Sequence, residues 1–161
     1  MICETPEDFL AALPEMGGLM GLDLGDKTIG LAVSDTFRSS ASPLQTIRRK
    51  KFTPDATEML ALATARNISG LVLGLPRNMD GTEGARCQST RAFARSLTRM
   101  TDLPITYWDE RLSTVAAEKA LLEADTTRKR RAEVIDHVAA SYILQGLLDR
   151  LSHMKGARNE R

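Results

Sequence analysis

The sequence predicts an α/β fold in which a mixed sheet, with antiparallel N-terminal strands and parallel later strands, carries helices on both faces. Two segments in which apolar residues alternate flank Gly25-Asp26-Lys27. These three residues are typical of the turn of a β-hairpin. The continuous apolar run at 71–75 ends at Pro76, as expected of a central parallel strand that is covered on both faces. Strand-like and helix-like segments then alternate along the chain. The 161 residues fit one domain.

The order of the elements follows from periodicity and from helix-capping residues. Residues 28–34 alternate between apolar and small or polar side chains, as a half-buried strand does. Thr53 is the predicted N-cap of a helix, with Pro54 at its first position. The predicted strands are 19–24, 28–34, 44–48, 71–75 and 104–108, and the predicted helices are 53–67, 82–100, 113–124 and 132–151.

The chain divides into an extension, a domain and a tail. Residues 1–18 are the N-terminal extension, in which Thr5 caps a helical turn that Pro14 stops. Residues 19–152 form the domain itself. Residues 153–161 form a polar tail that we expect to be loose.

Composition excludes several classes of protein. Apolar residues make up 42% and charged residues 27%, which is ordinary for a globular domain. The net charge of +1 argues against a dedicated basic nucleic-acid coat, and 4% aromatic residues argue against a base-stacking surface. No segment reaches the roughly 18 apolar residues of a membrane helix, and the acidic N-terminus is unlike a signal peptide. Cys3 and Cys87 are therefore expected as free thiols in the cytoplasm.

Acidic residues occur where a buried core is expected. Asp23 lies inside an apolar strand, where aspartate is disfavoured, although it could instead cap the turn before Gly25. Asp109 and Glu110 follow the strand 104–108, at the sheet edge where α/β folds bind ligands. The alternative for this pair is electrostatic stabilisation of the start of the next helix.

Asp136 is the third unusual acid, because its position in the last predicted helix shares a face with apolar residues. The apolar members of that face are Ala140, Ile143 and Leu147. A carboxylate in such a stripe is costly unless it is paired or binds a metal. The alternative is an ion pair with Arg130 or Arg131 in the preceding turn.

These acids could converge on one site for Mg²⁺ or Mn²⁺, because both cations prefer carboxylate and water oxygens. Two such ions, about 3.5–4 Å apart in known sites, activate water and stabilise the leaving oxygen in phosphodiester cleavage. No cluster of His or Cys in the sequence favours zinc, and His137 is expected to be an ordinary helix residue.

Cleavage of a nucleic acid also requires cations that hold its phosphates. The outer face of the helix 82–100 carries Arg91, Arg95 and Arg99 within an arc of about 80°, although a solvated face of this kind is common. The runs at 48–51 and 128–131 add two basic clusters. If these clusters share one side of the fold, the small net charge conceals a polarised surface.

Four motifs occur in a specific order: GLDLGDKTIGLAVSD (21–35), LVLGLPRNMDGTEG (71–84), WDERLSTVAAE (108–118) and IDHVAASYIL (135–144). The first alone is shared in outline with many RNase H-like phosphate binders. The ordered set, over about residues 19–150, resembles the YqgF-type or RuvX-type nucleases. These RNase H-like proteins are described as Holliday junction resolvases and as nucleases that mature the 5′ end of pre-16S ribosomal RNA.

The resemblance implies divalent-metal catalysis with Asp23, Glu110 and Asp136 as ligands and Asp109 in a supporting role. It also implies nucleic-acid or structural contacts by the motif residues Lys27, Asn78 and Arg111. With the basic clusters added, the predicted nucleic-acid contacts are Lys27, Asn78, Arg91, Arg95, Arg111, Arg130 and Arg131. The departures from the family pattern are the extension 1–18 and Arg77, where an apolar residue is common.

The resemblance predicts a metal-dependent endonuclease, with pre-16S ribosomal RNA as the preferred substrate and branched DNA as the alternative. Junction resolvases usually need two active sites, so a homodimer favours DNA and a monomer favours RNA. The first motif also resembles the phosphate loop of actin- and hexokinase-like ATPases, but those need two such domains around a cleft. A non-catalytic nucleic-acid binder or ribosome-assembly factor on the same fold is the third possibility.

Overall fold

The computed structural model describes the backbone of residues 1–112 and 128–159, and the side chains of residues 1–112 and 137–156. The predicted helix at 113–124 lies outside the described residues. The strands are β1 (Ile2–Cys3), β2 (Gly18–Leu24), β3 (Thr28–Ser34), β4 (Ala41–Arg48), β5 (Ile68–Leu75) and β6 (Ile105–Asp109). The helices are α1 (Pro6–Ala12), α2 (Phe52–Ala65), α3 (Ala85–Leu97) and α4 (Arg128–Asn159), and a 3₁₀ turn spans Glu110–Leu112.

The described strands form one sheet in the order β1-β6-β5-β2-β3-β4. The pairs β2–β3 and β3–β4 are antiparallel, as expected for a hairpin and its extension. The pairs β2–β5, β5–β6 and β1–β6 are parallel. This arrangement confirms the predicted mixed sheet, with β2 at the point where the antiparallel and parallel halves meet.

Alternation along β2 separates two hydrophobic cores. Met20 and Leu22 point to one face of the sheet, where they pack with residues of α2 and α3. Leu19 points to the other face, where α1 and α4 supply Phe9 and Ile143. All five side chains are fully buried, and each such burial stabilises the fold by roughly 1.5–3 kcal/mol. Helices therefore cover both faces, as predicted.

The α4 helix lies directly on β2 at Gly21. A Cβ atom built on Gly21 would come within 2.9 Å of the carbonyl oxygen of Ala140 and of the Cβ of Leu144. A larger residue would therefore push the helix away from the strand. This close approach brings the N-terminal half of α4 over the carboxyl end of β2.

Residues of the N-terminal segment 1–18 pair with the sheet and pack against it. β1 joins the sheet beside β6, with Ile2 opposite Ile105. The N-cap of α1 is Thr5, as predicted, and its Oγ1 accepts a hydrogen bond from the backbone of Asp8 at 3.1 Å. The sequence does not reveal β1 because the strand has only 2 residues and pairs with a strand far along the chain.

Helix boundaries differ from prediction in three helices, of which α3 is shorter, at Ala85–Leu97 rather than 82–100. The N-cap of α2 is Lys51, so the prediction of Thr53 is wrong; the buried carboxylate of Asp55 accepts the backbone N–H of Lys50 at 3.0 Å instead. The α4 helix begins at Arg128 and continues to Asn159. The basic run at 128–131 and most of the predicted loose tail are therefore helical, because they contain no proline and many good helix formers.

Both cysteines are buried and free, and burial raises the pKa of each thiol. Across residues 1–112 and 128–159, no helix combines the length and apolarity that crossing a membrane requires.

Candidate active site

Asp23 lies near the carboxyl end of β2, directly opposite Gly30 of β3. Its side chain faces the α4 side of the sheet, because it is two residues beyond Gly21 and strand side chains alternate. Asp23 is only 3% exposed. A carboxylate buried on a central strand needs compensating partners, which is the property expected of a metal ligand.

Glu110 reaches the same face of the sheet from the end of β6. Its Oε1 lies 2.6 Å from a Cβ atom built on Gly74, beside the side chain of Ile143 from α4. Gly74 and Asp23 each follow the last paired residues of neighbouring parallel strands, Leu73 and Leu22. The carboxylate of Glu110 therefore lies over the strand next to Asp23, on the same face and at the same edge.

The α4 helix passes this edge at its N-terminal half. His137 Nδ1 lies 3.0 Å from Thr46 Oγ1 of β4. Thr46 is opposite Gly30, which is itself opposite Asp23, so the contact lies in line with Asp23 across three strands. Asp136 precedes His137 in α4, but its side chain lies outside the described residues, and its predicted role as third ligand stays a prediction.

The apolar residues predicted to share a helix face with Asp136 form the buried face of α4. Ala140, Ile143 and Leu147 are all 0% exposed and pack against the sheet. Among the side chains that the structure describes, no three His, Cys, Asp or Glu residues form a metal-binding group. Asp23 and Glu110 nevertheless fit a hard cation, because both offer carboxylate oxygens at one edge.

Asp109 forms a forked ion pair with Arg111. The Nε and terminal nitrogens of Arg111 donate to the Asp109 carboxylate, with a shortest distance of 2.6 Å, and the Arg111 backbone N–H donates at 3.0 Å. These hydrogen bonds hold the pKa of Asp109 below its usual value. Asp109 and Arg111 are the residues on either side of Glu110. Their ion pair therefore restricts the backbone that carries the Glu110 side chain.

Asn78 closes the loop between β5 and α3. Its Nδ2 donates to Thr82 Oγ1 at 2.9 Å, and its backbone N–H donates to the Thr82 carbonyl at 2.9 Å. Thr82 in turn donates to the carboxylate of Asp80. Arg111 lies against the same loop, 3.3 Å from a Cβ built on Gly81. The predicted nucleic-acid contact by Asn78 is untested, and these bonds favour a structural role.

Arg91 is held by acidic partners. Its Nε lies 2.6 Å from Glu83 Oε1, its Nη1 lies 3.0 Å from Glu4 Oε1, and its guanidinium stacks over the ring of Tyr107 at 4.7 Å. The hydrogen bond with Glu83 raises the pKa of Arg91 and lowers that of Glu83. Arg77 also pairs with Glu83, at 3.5 Å. The contact predicted for Arg91 is untested, and its donors are largely occupied.

The remaining predicted contacts lie in different parts of the fold. Lys27 is exposed in the β2–β3 turn, and Arg95 is exposed on α3. Arg99 follows α3, which ends at Leu97. Arg130 and Arg131 belong to α4, but their side chains lie outside the described residues.

Gly74 contributes to the candidate site, although no sequence motif marks it as a site residue. Any side chain there would meet Glu110 and Ile143. A glycine inside an apolar strand is a known signal of close approach by another group. That signal was present in the run LVLGLP, but it does not say which group approaches.

The comparison with known sequences gives consistent results. The sequence model of the RuvX family, described as Holliday junction resolvase, matches residues 17–150. A protein of Ruegeria pomeroyi named "Putative pre-16S rRNA nuclease" is 73% identical over 154 residues, which are 96% of this chain and 100% of that protein. A protein of the same name from Roseobacter denitrificans is 67% identical over an alignment of 162 positions, which covers 99% of each chain.

The comparison with solved structures concerns the fold alone. Thermus thermophilus RuvC in complex with a Holliday junction substrate matches with a TM-score of 0.50 and 10% identity, over 84% of this chain and 96% of that one. A second Thermus thermophilus RuvC structure matches with a TM-score of 0.50 and 11% identity, over 86% and 96%. These matches confirm the predicted RNase H-like fold class.

Proposed function

Since the chain belongs to the RuvX family, we propose that it is a divalent-metal-dependent endonuclease that processes the 5′ end of pre-16S ribosomal RNA. The observation that carries the proposal is the position of Asp23 and Glu110, whose carboxylates lie on one face of the sheet at the carboxyl end of β2 and β5. The names of relatives that match nearly the whole chain support the choice of RNA.

Asp23, Glu110 and Asp136 would hold the metal. When bound, Mg²⁺ or Mn²⁺ supplies an activated water and stabilises the leaving oxygen of the phosphodiester. Asp23 is fixed by the paired strands on either side of β2, and Glu110 is fixed by the space over Gly74 and by the bracketing Asp109–Arg111 pair. Ligands held in this way need little rearrangement when the metal and the substrate arrive.

A parallel cleavage assay tests the activity and the substrate together. The purified protein is incubated with a pre-16S 5′ leader RNA and with a four-way DNA junction, each in EDTA, in Mg²⁺ and in Mn²⁺. We expect cleavage of the RNA in either metal, no cleavage in EDTA, and an intact junction. Sedimentation of the same sample gives the oligomeric state, which we expect to be monomeric if RNA is the substrate.

Each other outcome has a distinct meaning. Cleavage of the junction alone, by a dimer, would overturn the RNA substrate and support the resolvase activity that the family description names. Cleavage of neither substrate would contradict the nuclease proposal. Tight binding without cleavage would then favour the non-catalytic ribosome-assembly factor.

A further inference from the structure

We infer that the substrate strand passes from the carboxylate edge over a basic rim formed by Lys27, Arg48, Arg49, Lys50 and Lys51. This inference rests on the proposed function, since it takes the backbone of a nucleic acid as the occupant. The rim consists of the β2–β3 turn and the connection from β4 to α2. Cations at exposed positions bind phosphates without regard to base sequence.

The rim is bonded directly to the turn that follows Asp23. Arg48 is the last residue of β4 and lies opposite Thr28 of β3. The backbone N–H of Arg49 donates to the carbonyl of Lys27 at 2.9 Å, and its guanidinium donates to the carbonyl of Gly25 at 2.6 Å. The rim therefore begins within a few residues of the buried carboxylate and continues along the same edge of the sheet.

The backbone of the rim is fixed, while several of its charges point to solvent. The Lys50 backbone N–H donates to both oxygens of Asp55, at 3.0 and 3.2 Å, and Arg49 lies over the ring of Phe93 at 5.7 Å. Lys27, Lys50 and Lys51 are exposed. A fixed backbone with exposed ammonium groups suits a repeated anionic ligand, because only the side chains must adjust.

The charges on the opposite side of the site are neutralised. Arg91 and Arg77 share Glu83, and Arg111 is paired with Asp109. In the part of the chain that the structure describes, Lys27, Arg49, Lys50 and Lys51 make no ion pair with a carboxylate.

The resulting field at the edge is asymmetric. Asp26 is an exposed carboxylate next to the rim, and it offsets one of the rim's positive charges. The rim stays the more positive side of the carboxylate edge, so a phosphodiester backbone is attracted to it rather than to the β5–α3 loop.

A double substitution, Lys50→Gln with Lys51→Gln, tests the rim. The matched control is Arg66→Gln with Lys155→Gln, which removes the same charge from exposed side chains near the far ends of α2 and α4. Helix α2 has 14 residues, so Lys51 and Arg66 are separated by about 21 Å. Binding of the leader RNA is followed by fluorescence anisotropy in EDTA at several salt concentrations, and cleavage is followed in Mg²⁺.

We expect the Lys50→Gln/Lys51→Gln variant to bind about tenfold more weakly at low salt, with the slope of log Kobs against log salt reduced by about 1.4 to 1.8. We expect the Kd and the KM of this variant to rise, while its kcat stays at the wild-type value. The Arg66→Gln/Lys155→Gln control keeps the wild-type Kd and slope. Both variants are checked for an unchanged thermal midpoint.

An unchanged Kd and salt slope in the rim variant, with wild-type cleavage intact, would overturn the rim and leave the proposed function standing. An equal loss in the control variant would also overturn it, since any lost charge would then have the same effect. If the wild type binds through the rim but cleaves nothing, the rim is supported and the proposed nuclease function fails.

Discussion

Gly74 shows how a missing side chain leaves room for the Glu110 carboxylate, which we propose as a metal ligand. The Oε1 atom of Glu110 occupies the space into which a Cβ at residue 74 would project, and Ile143 closes the space from α4. The strand that carries Gly74 is otherwise apolar and buried. The Glu110 carboxylate therefore packs against the sheet at Gly74, on the strand next to that of Asp23.

We predict that Gly74→Ala reduces metal-dependent cleavage by about 10- to 100-fold. The added methyl group would displace the Glu110 carboxylate and the end of Ile143, both of which are flexible ends of side chains, so the fold should survive at a cost of about 1–3 kcal/mol. Cleavage rates and Mn²⁺ titrations are compared with urea unfolding of the same variant.

Gly84→Ala is the control for this substitution. A Cβ built on Gly84 comes no closer than 3.6 Å to the Asn78 amide, which is ordinary contact, so this variant should cleave at the wild-type rate. Wild-type cleavage and metal affinity in Gly74→Ala would show that the glycine does not position Glu110.

At the scale of elements, the N-terminal segment is a structural part of the site's support. α1 lies on the same face of the sheet as α4, and Phe9 of α1 is fully buried over Gly70 of β5. Arg38 fastens the same region, because it donates to the carbonyl oxygens of Gly17 and Pro14 at 2.7 and 2.8 Å. The segment therefore closes one end of the α4 core.

We predict that Phe9→Ala destabilises the protein by about 3–5 kcal/mol, because it leaves a cavity in this core. The matched control is Phe37→Ala, since Phe37 is 76% exposed and its removal should change stability by no more than about 0.5 kcal/mol. Urea unfolding measures both. Equal stability of Phe9→Ala and the wild type would mean that residues 1–18 are dispensable.

Local sequence signals predicted most elements well. The hairpin strand 28–34 matches β3, and the apolar run at 71–75 lies within β5. The errors came from contacts that apolar periodicity and N-cap preference do not encode. β1 is a strand only because β6 pairs with it, and α2 begins at Phe52 because the Asp55 carboxylate binds the Lys50 N–H.

At the scale of the molecule, the small net charge of +1 conceals an uneven surface. Arginines on the β5–β6 side are paired with carboxylates, whereas Lys27, Arg49, Lys50 and Lys51 of the basic rim make no ion pair with a carboxylate within the described residues. The sequence predicts contacts in both groups of cations, with Lys27 in the rim and Arg91 and Arg111 on the other side. It could not show that Glu4, far away in the chain, reaches Arg91.

Asp23 and Glu110 stand out in the sequence because their residue type conflicts with the apolar strands around them. Asp23 is buried in a strand, and Glu110 follows one, so the carboxylates stand out from the apolar pattern. The sequence could not reveal that Glu110 lies over Gly74, because this contact joins two strands through the register of the sheet. The part played by Asp136 stays a prediction.

The central claim is that Asp23 holds a catalytic metal, and the most direct measurement is the metal-dependent cleavage rate of Asp23→Asn beside Asp26→Asn. Both substitutions replace a carboxylate by an amide of nearly equal size, but Asp26 is exposed in the turn. We predict at least about a hundredfold loss of Mg²⁺- and Mn²⁺-dependent RNA cleavage in Asp23→Asn, with weakened Mn²⁺ binding, and wild-type rates in Asp26→Asn. Unchanged metal-dependent cleavage in Asp23→Asn would contradict the account.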